Sequence, residues 1–120
     1  MIRMSKYIKG AVVLATGLCV VGITAGAVRA QDATQQYDKN CKLCHGPSGK
    51  GDGPAGKMLK PPPADFATAL KGKADADIAK AIKEGGKAVG MSTAMPAFGR
   101  KLTDDQIQAI VTYVRGLSSK

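Results

Sequence analysis

The chain has 120 residues, a formal net charge of +9 and an apolar content of 44%. This length accommodates one small globular domain besides any N-terminal targeting segment, so it excludes a second folded core. With no tryptophan and 4% aromatic residues, the chain is poor in the side chains on which nucleic-acid bases stack, and its positive charge is better explained as a lysine-rich surface.

The first thirty residues are typical of a secretory signal peptide. A basic start is followed by an uncharged run at 10–28, and Val28-Arg29-Ala30 has the small residues of a cleavage site. We therefore predict that residues 1–30 are a cleaved signal peptide and that residues 31–120 form a periplasmic domain without a membrane span. The alternative is an uncleaved membrane anchor, because nineteen uncharged residues can just span a bilayer.

Cleavage after Ala30 defines the chemistry of the mature domain. It removes Cys19 and leaves two cysteines, Cys41 and Cys44. Residues 31–120 hold fourteen lysines and arginines against nine acidic residues, which gives a net charge of +5. A domain of this size buries little surface unaided and often depends on a metal or cofactor for stability.

From Asp32 the spacing predicts a helix that ends near His45. Ala33, Tyr37 and Cys41 recur every four residues and so share one helix face. The following glycine and proline are a typical helix end. This helix therefore delivers the two cysteines and the histidine together.

The stretch Cys41-Lys42-Leu43-Cys44-His45 has the C-x-x-C-H spacing of covalent c-type haem attachment. Residues three and four apart lie on one helix face, so both thiols and the imidazole can address one side of a porphyrin. We predict thioether bonds to haem from Cys41 and Cys44 and an axial bond to iron from His45.

Other chemistries of two exported cysteines fit the sequence less well. A disulfide does not explain the adjacent histidine. A thiol oxidoreductase would use the pair for redox exchange, but the βαβ pattern expected around such a motif is missing. A zinc site would be one ligand short of the usual four.

The segment that follows the motif is rich in glycine and proline. Residues 46–56 contain five glycines and two prolines, which predicts a loop wrapped closely around a haem edge. A phosphate-binding loop is the alternative, but no strand precedes it and no Gly-Lys-Ser/Thr step occurs. The prolines within residues 60–66 then predict an extended segment, in which Leu59 and Phe66 contact either the porphyrin or an ordinary core.

Two further helices are indicated. One is capped by Asp75 or Asp77, ends at Gly85-Gly86 and is expected to pack at the side of the domain. The last begins with a capping box at residues 103–106 and should run to about Arg115. Its apolar stripe comprises Ile107, Ile110, Val111, Val114 and Leu117. Because strand-like alternation is absent from the mature region, the predicted fold class is all-α.

An iron bound by His45 is either open on its other side, for ligand chemistry, or closed by a second protein ligand, for electron transfer. His45 is the only histidine of the chain, so a second histidine ligand is excluded. Methionine is the plausible closing ligand, and the candidates are Met58, Met91 and Met95. Met95 is favoured because Pro96 stiffens the segment that carries it, although a lone methionine is usually core filler.

Residues 33–118 resemble the class I mono-haem c-type cytochromes of bacteria. The matching stretches are, in chain order, Tyr37-x-x-x-Cys41-x-x-Cys44-His45-Gly46, Gly49-Lys50-Gly51-Asp52-Gly53-Pro54, Met95-Pro96-Ala97-Phe98, Leu102-Thr103-x-x-Gln106-Ile107 and Tyr113-Val114-Arg115. The resemblance implies a cytochrome c fold of three to five helices around one covalent haem, with the first and last helices crossing near Tyr37 and Tyr113.

The resemblance also implies a role for each site residue. Cys41 and Cys44 would be the thioether positions, His45 the proximal axial ligand and Met95 the distal one. The backbone carbonyl of Pro54 would accept a hydrogen bond from His45 Nδ1, a contact that fixes the imidazole.

The function implied by the resemblance is one-electron transfer rather than enzyme catalysis. A soluble, monomeric carrier would pass electrons between a donor and an acceptor protein, with no nucleic-acid partner. The alternatives are a haem subunit of a larger oxidoreductase and a haem-based sensor or enzyme with a displaceable distal methionine. Six lysines either steer acidic partners to the exposed haem edge or are simply solvated: Lys42, Lys50, Lys57, Lys60, Lys87 and Lys101.

Overall fold

The computed structural model describes residues 25–120 and, from residue 29 onward, their side chains. Within that range the helices are α1 (Ala25–Asn40), α2 (Lys42–His45), α3 (Phe66–Ala69), α4 (Asp75–Glu84) and α5 (Asp104–Ser118), with 3₁₀ turns at Gly56–Met58 and Lys87–Val89. Residues 25–120 contain no strand, which confirms the all-α prediction. The signal peptide predicted at 1–30 lies mostly outside the described residues and stays a prediction.

Helices α1 and α5 form the central packing contact of the domain. Tyr37 of α1 and Tyr113 of α5 have ring centroids 5.0 Å apart, and Ala33 is buried one turn before Tyr37. The crossing implied by the family resemblance is therefore present. None of the helices in the described range is long and apolar enough to cross a membrane.

The helix that carries the cysteines differs from the prediction of one element from Asp32 to His45. Helix α1 already begins at Ala25, and the chain tightens at Cys41 before the single turn of α2. The Cys41 carbonyl accepts from the N–H groups of both Cys44 and His45, at 3.1 and 2.9 Å, so the turn is part 3₁₀ in character. Gly46, with φ of 78°, ends α2 as predicted.

Helix α5 confirms the predicted capping box and extends beyond the predicted end. The Thr103 hydroxyl accepts from the Gln106 N–H at 3.2 Å, and the Gln106 side chain accepts from the Thr103 N–H at 3.0 Å. Four of the five stripe residues are buried: Ile107, Ile110, Val111 and Val114. The helix continues to Ser118 because Leu117 still packs against the core and Ser118 Oγ donates to the Arg115 carbonyl at 2.8 Å.

Helix α4 begins differently from the prediction that an aspartate would be its N-cap. The N-cap is Ala74, whose N–H donates to Asp77 Oδ2 at 3.3 Å. Asp77 therefore caps the helix from within its first turn and is not the N-cap residue itself. Gly85, with φ of 86°, follows the last residue of the helix, as the sequence indicated. This places the C-terminal carbonyls of α4 next to the segment that carries Met95.

Candidate functional site

A cavity of about 650 Å³ lies between the helices of the domain. Its walls come from the α1–α2 junction, the proline-rich segment 61–64, and helices α4 and α5, together with the segment 89–98. Most of the lining is apolar, and the volume falls within the range of about 300–1,000 Å³ that is usual for cofactor and ligand sites. Helix α4, expected at the side of the domain, also lines the cavity, because helical spacing shows which face is apolar but not what that face contacts.

The two cysteines of the motif both line the cavity and are free thiols. Burial, and in second place the neighbouring Cys44, raises the pKa of the Cys41 thiol to about 11. A redox-active thiol pair needs a thiol whose pKa is lowered. The environment of Cys41 is therefore not that of a reactive thiol.

His45 lines the same cavity, and its ring packs against Phe66 with a centroid distance of 4.9 Å and an interplanar angle of 32°. Burial lowers the pKa of His45, which favours the neutral imidazole, the form that binds a metal. Its Nδ1 is buried and has no hydrogen-bond partner among the described residues.

The hydrogen bond from His45 Nδ1 to the Pro54 carbonyl, which the resemblance implies, is therefore not formed in this structure. Pro54 is exposed, and its loop is tied to the backbone of α2 instead. The Gly53 N–H donates to the Cys44 carbonyl at 3.2 Å, and the Ala55 N–H donates to the Leu43 carbonyl at 3.0 Å. The role of Pro54 remains a prediction.

The three candidate methionines differ in their exposure and in whether they line the cavity. Met58 is 82% exposed and lies outside the cavity, whereas Met91 and Met95 both line it. Met95 is partly buried against the hydrophobic core, while Met91 is 53% exposed. Burial thus favours Met95 as the thioether that can be held in a fixed position.

The segment that carries Met95 is attached to the C-terminal end of α4 by backbone hydrogen bonds. The Phe98 N–H donates to the Ile82 carbonyl and the Gly99 N–H donates to the Lys83 carbonyl, both at 3.0 Å. These carbonyls belong to the last turn of α4 and have no partner within the helix. Sequence reasoning missed this attachment, because backbone groups carry no sequence signal for a long-range partner.

Tyr37 has a role at the site that sequence reasoning also missed. Its hydroxyl is buried and donates to the Gly46 carbonyl at 2.7 Å, so α1 holds the residue that follows His45. The helical spacing placed Tyr37 on the face shared with Cys41, which is correct. Its hydrogen-bond partner depends on where the chain turns after the motif.

Charged side chains line one part of the cavity, namely Lys73, Asp77 and Lys80. None of the six lysines selected from the sequence lies in the lining, although all six are within the described residues. The two carboxylates of a haem require positive or hydrogen-bonding partners when they leave water. Lys73 and Lys80 supply positive charge to this lining, but both are exposed and Asp77 adds a carboxylate to it.

Taken together, the lining residues fit a covalently attached haem. The described residues contain no cluster of three or more His, Cys, Asp or Glu side chains that could hold a metal ion. A porphyrin supplies four equatorial nitrogens of its own, so iron in haem needs from the protein no more than one or two axial ligands. The cavity offers His45, Met95 and two thiols in an otherwise mainly apolar enclosure.

Comparison with known proteins agrees with this chemistry. A family model described as cytochrome c matches residues 30–118. The chain is 31% identical over 91 residues to the cbb3-type cytochrome c oxidase subunit CcoP of Azospirillum brasilense, covering 76% of this chain and 29% of that one. It is also 31% identical over 101 residues to the CcoP subunit of Azospirillum sp. (strain B510), covering 83% and 32% of the two chains. The chain thus spans less than a third of the length of either relative.

A solved structure has a similar fold. A chain of the reducing HAO-like protein complex of Kuenenia stuttgartiensis superposes with a TM-score of 0.61 and 26% identity. The alignment covers 75% of this chain and 44% of that one. The similarity therefore extends over most of the domain described above but less than half of the solved chain.

Proposed function

Because this chain belongs to the cytochrome c family and carries a covalently bound haem c, we propose that it is a one-electron carrier with a His/Met-ligated haem. Haem-based electron transfer follows from the family. The observation that supports His/Met ligation is that one cavity gathers the four groups such a site needs: Cys41, Cys44, His45 and Met95.

Each of these residues has a distinct task in the proposed site. Cys41 and Cys44 would form the thioether bonds that hold the haem. His45 would supply a neutral imidazole nitrogen to the iron, and Met95, in the same cavity lining, would supply its thioether sulfur. When bound, the haem supplies a reversible one-electron change at iron, and methionine ligation raises its potential.

The protein around the site limits the structural reorganisation that accompanies a change of redox state. The mainly apolar walls restrict the access of water, and Phe66 restrains the His45 ring. The backbone attachment at the end of α4 keeps the Met95 segment in place. A site in which both axial ligands stay bound needs little reorganisation on redox change, which suits an electron carrier.

Redox proteins are the partners of such a carrier, and we place it in the periplasm on the basis of the predicted signal peptide at residues 1–30. A second candidate is a haem subunit of a larger oxidoreductase. It is favoured by two relatives, each 31% identical to this chain, that are oxidase subunits. The native mass of the mature protein separates the two candidates, because a free carrier is a monomer and a subunit copurifies with its complex.

The proposal is tested by the mass and absorption spectrum of the protein expressed with a c-type haem maturation system. We expect a polypeptide that begins at Gln31 and carries the mass of one haem, which stays bound after denaturation in acidified organic solvent. The ferric protein should show the weak near-infrared absorption band of methionine sulfur bound to iron. A haem that extracts freely, or a ferric spectrum without that band, would contradict the proposal.

A further inference from the structure

We propose that Gly86 is a positioning residue for the distal ligand: it holds the Met95 backbone by a hydrogen bond, and its missing side chain leaves the space that the Met95 segment occupies. This inference rests on the proposed axial role of Met95. It concerns a residue that does not itself touch the iron.

Both backbone polar groups of Gly86 form hydrogen bonds with the segment 91–99, which carries Met95. Its N–H donates to the Met95 carbonyl at 3.0 Å, and its carbonyl accepts from the Met91 N–H at 2.8 Å. Gly86 lies one residue beyond Gly85, the C-cap of α4, so these bonds continue the contacts that Phe98 and Gly99 make with that helix. The two ends of the segment 91–99 are thus fixed to the same helix terminus.

The space beside Gly86 admits no side chain. A Cβ atom at this position would overlap the Ser92 carbonyl oxygen, well inside the 3.0 Å that real Cβ atoms keep, and would lie 3.3 Å from the Met95 Cβ. The obstacle is backbone, which cannot rotate away as the end of a flexible side chain can. Any side chain at residue 86 therefore displaces the segment 92–95.

Glycine is required here for space and not for backbone conformation. Gly86 has φ of −62° and ψ of −40°, which every amino acid adopts readily. Gly85 differs, because its φ of 86° makes any L side chain strained whatever the space. Substitution of Gly86 by alanine is therefore a steric probe of the methionine segment, free of the conformational strain that a change at Gly85 would add.

Added volume next to packed backbone shifts the equilibrium between bound and displaced methionine by about tenfold to a hundredfold. The effect should be confined to the distal side. Cys41, Cys44 and His45 lie on the α1–α2 junction, and no hydrogen bond links Gly86 to that segment in the described residues. Haem attachment and the bond from His45 should therefore survive the change.

The experiment compares Gly86→Ala with Gly116→Ala in the haem-loaded protein. Gly116 lies in α5, and a Cβ at that position would meet nothing within 4 Å, so the control adds the same methyl group to open space. For Gly86→Ala we expect unchanged covalent haem content, loss of most of the methionine-to-iron absorption band, and apparent binding of added imidazole tightened by about tenfold or more. An unchanged band and unchanged imidazole affinity in Gly86→Ala would overturn the inference.

A second measurement applies if Gly86→Ala does not mature. In the wild-type protein, hydrogen exchange of the Gly86 amide and loss of the methionine-to-iron band should report the same opening and change together with temperature. Rapid exchange of that amide while the band stays intact would contradict the inference. Absence of the band from the wild-type protein would instead contradict the proposed function, so the two failures are distinguishable.

Discussion

Met91 and Met95 both line the cavity, but they differ in burial, and this difference predicts which of them binds iron. Met95 packs against the core, whereas Met91 is 53% exposed. We expect Met95→Leu to open the distal side, with a lower reduction potential and prompt binding of carbon monoxide by the reduced protein, because methionine ligation raises the potential. Met91→Leu is the matched control and should retain the wild-type potential. Equal effects of the two changes would contradict the assignment of Met95.

Tyr37 stabilises the turn after His45 through a single buried hydrogen bond. Its hydroxyl donates to the Gly46 carbonyl at 2.7 Å, and burial raises the pKa of Tyr37, so the hydroxyl stays protonated and remains a donor. Tyr37→Phe removes this donor and leaves the Gly46 carbonyl with only the Gly49 N–H, at 3.4 Å, so the free energy of unfolding should fall by about 0.5–1.5 kcal/mol. Tyr113→Phe is a suitable control, and denaturant unfolding of both variants is the measurement. A Tyr37→Phe variant as stable as the control would contradict a stabilising role of this hydrogen bond.

At the scale of the helices, Arg115 joins α5 to the link between α3 and α4 and to the first residue of α4. Its Nε donates to Asp75 Oδ1 at 2.9 Å and its Nη1 to the Leu70 carbonyl at 3.0 Å, while Nη2 contacts Asp75 and the Lys73 carbonyl. Because the group is partly exposed, we expect Arg115→Gln to lower the free energy of unfolding by about 1–2 kcal/mol.

Two further variants separate the contributions of the Arg115 guanidinium. Asp75→Asn keeps the bonds to the two carbonyls and should cost about 0–1 kcal/mol, as exposed ion pairs do. Arg115→Lys keeps the charge but loses the planar fork, so it should recover little of the lost stability. Full recovery by lysine would show that charge, and not the contact with the Leu70 and Lys73 carbonyls, is what stabilises this link. Thermal or denaturant unfolding distinguishes these outcomes.

The helices also show which features can be predicted from sequence. The capping box at Thr103 and the buried stripe of α5 depend on residues three or four apart, and both were predicted correctly. The C-x-x-C-H motif at residues 41–45 also depends only on residues close together in sequence. The contacts of Arg115 with residues 70–75, of Tyr37 with Gly46 and of Gly86 with Met95 join separate segments, and two of the three end on a backbone carbonyl alone. A carbonyl is the same in every residue, so no composition or periodicity identifies it as a partner.

For the molecule as a whole, the net charge predicts how its rate of association with a redox partner depends on salt. Residues 31–120 have a net charge of +5, which two haem carboxylates lower to about +3. With an acidic redox partner we expect the second-order rate of electron transfer to fall by about tenfold or more as salt rises from low to physiological concentration, because screening shortens the reach of the field. A small uncharged reductant serves as the control and should show no such dependence. A flat profile with the acidic partner would contradict electrostatic steering by the lysines.

The burial of the Cys41 thiol bears on the order of events during maturation. In the folded chain partial burial raises the pKa of this thiol to about 11, so at neutral pH it forms far less of the nucleophilic thiolate than an ordinary cysteine does. Attachment of the haem is then easiest while the chain is still open, before α1 and α5 come together. Folding and cofactor addition would form one ordered sequence in which the haem arrives first and the helices close over it. Alkylation of Cys41 should accordingly be much faster in the unfolded than in the folded haem-free chain.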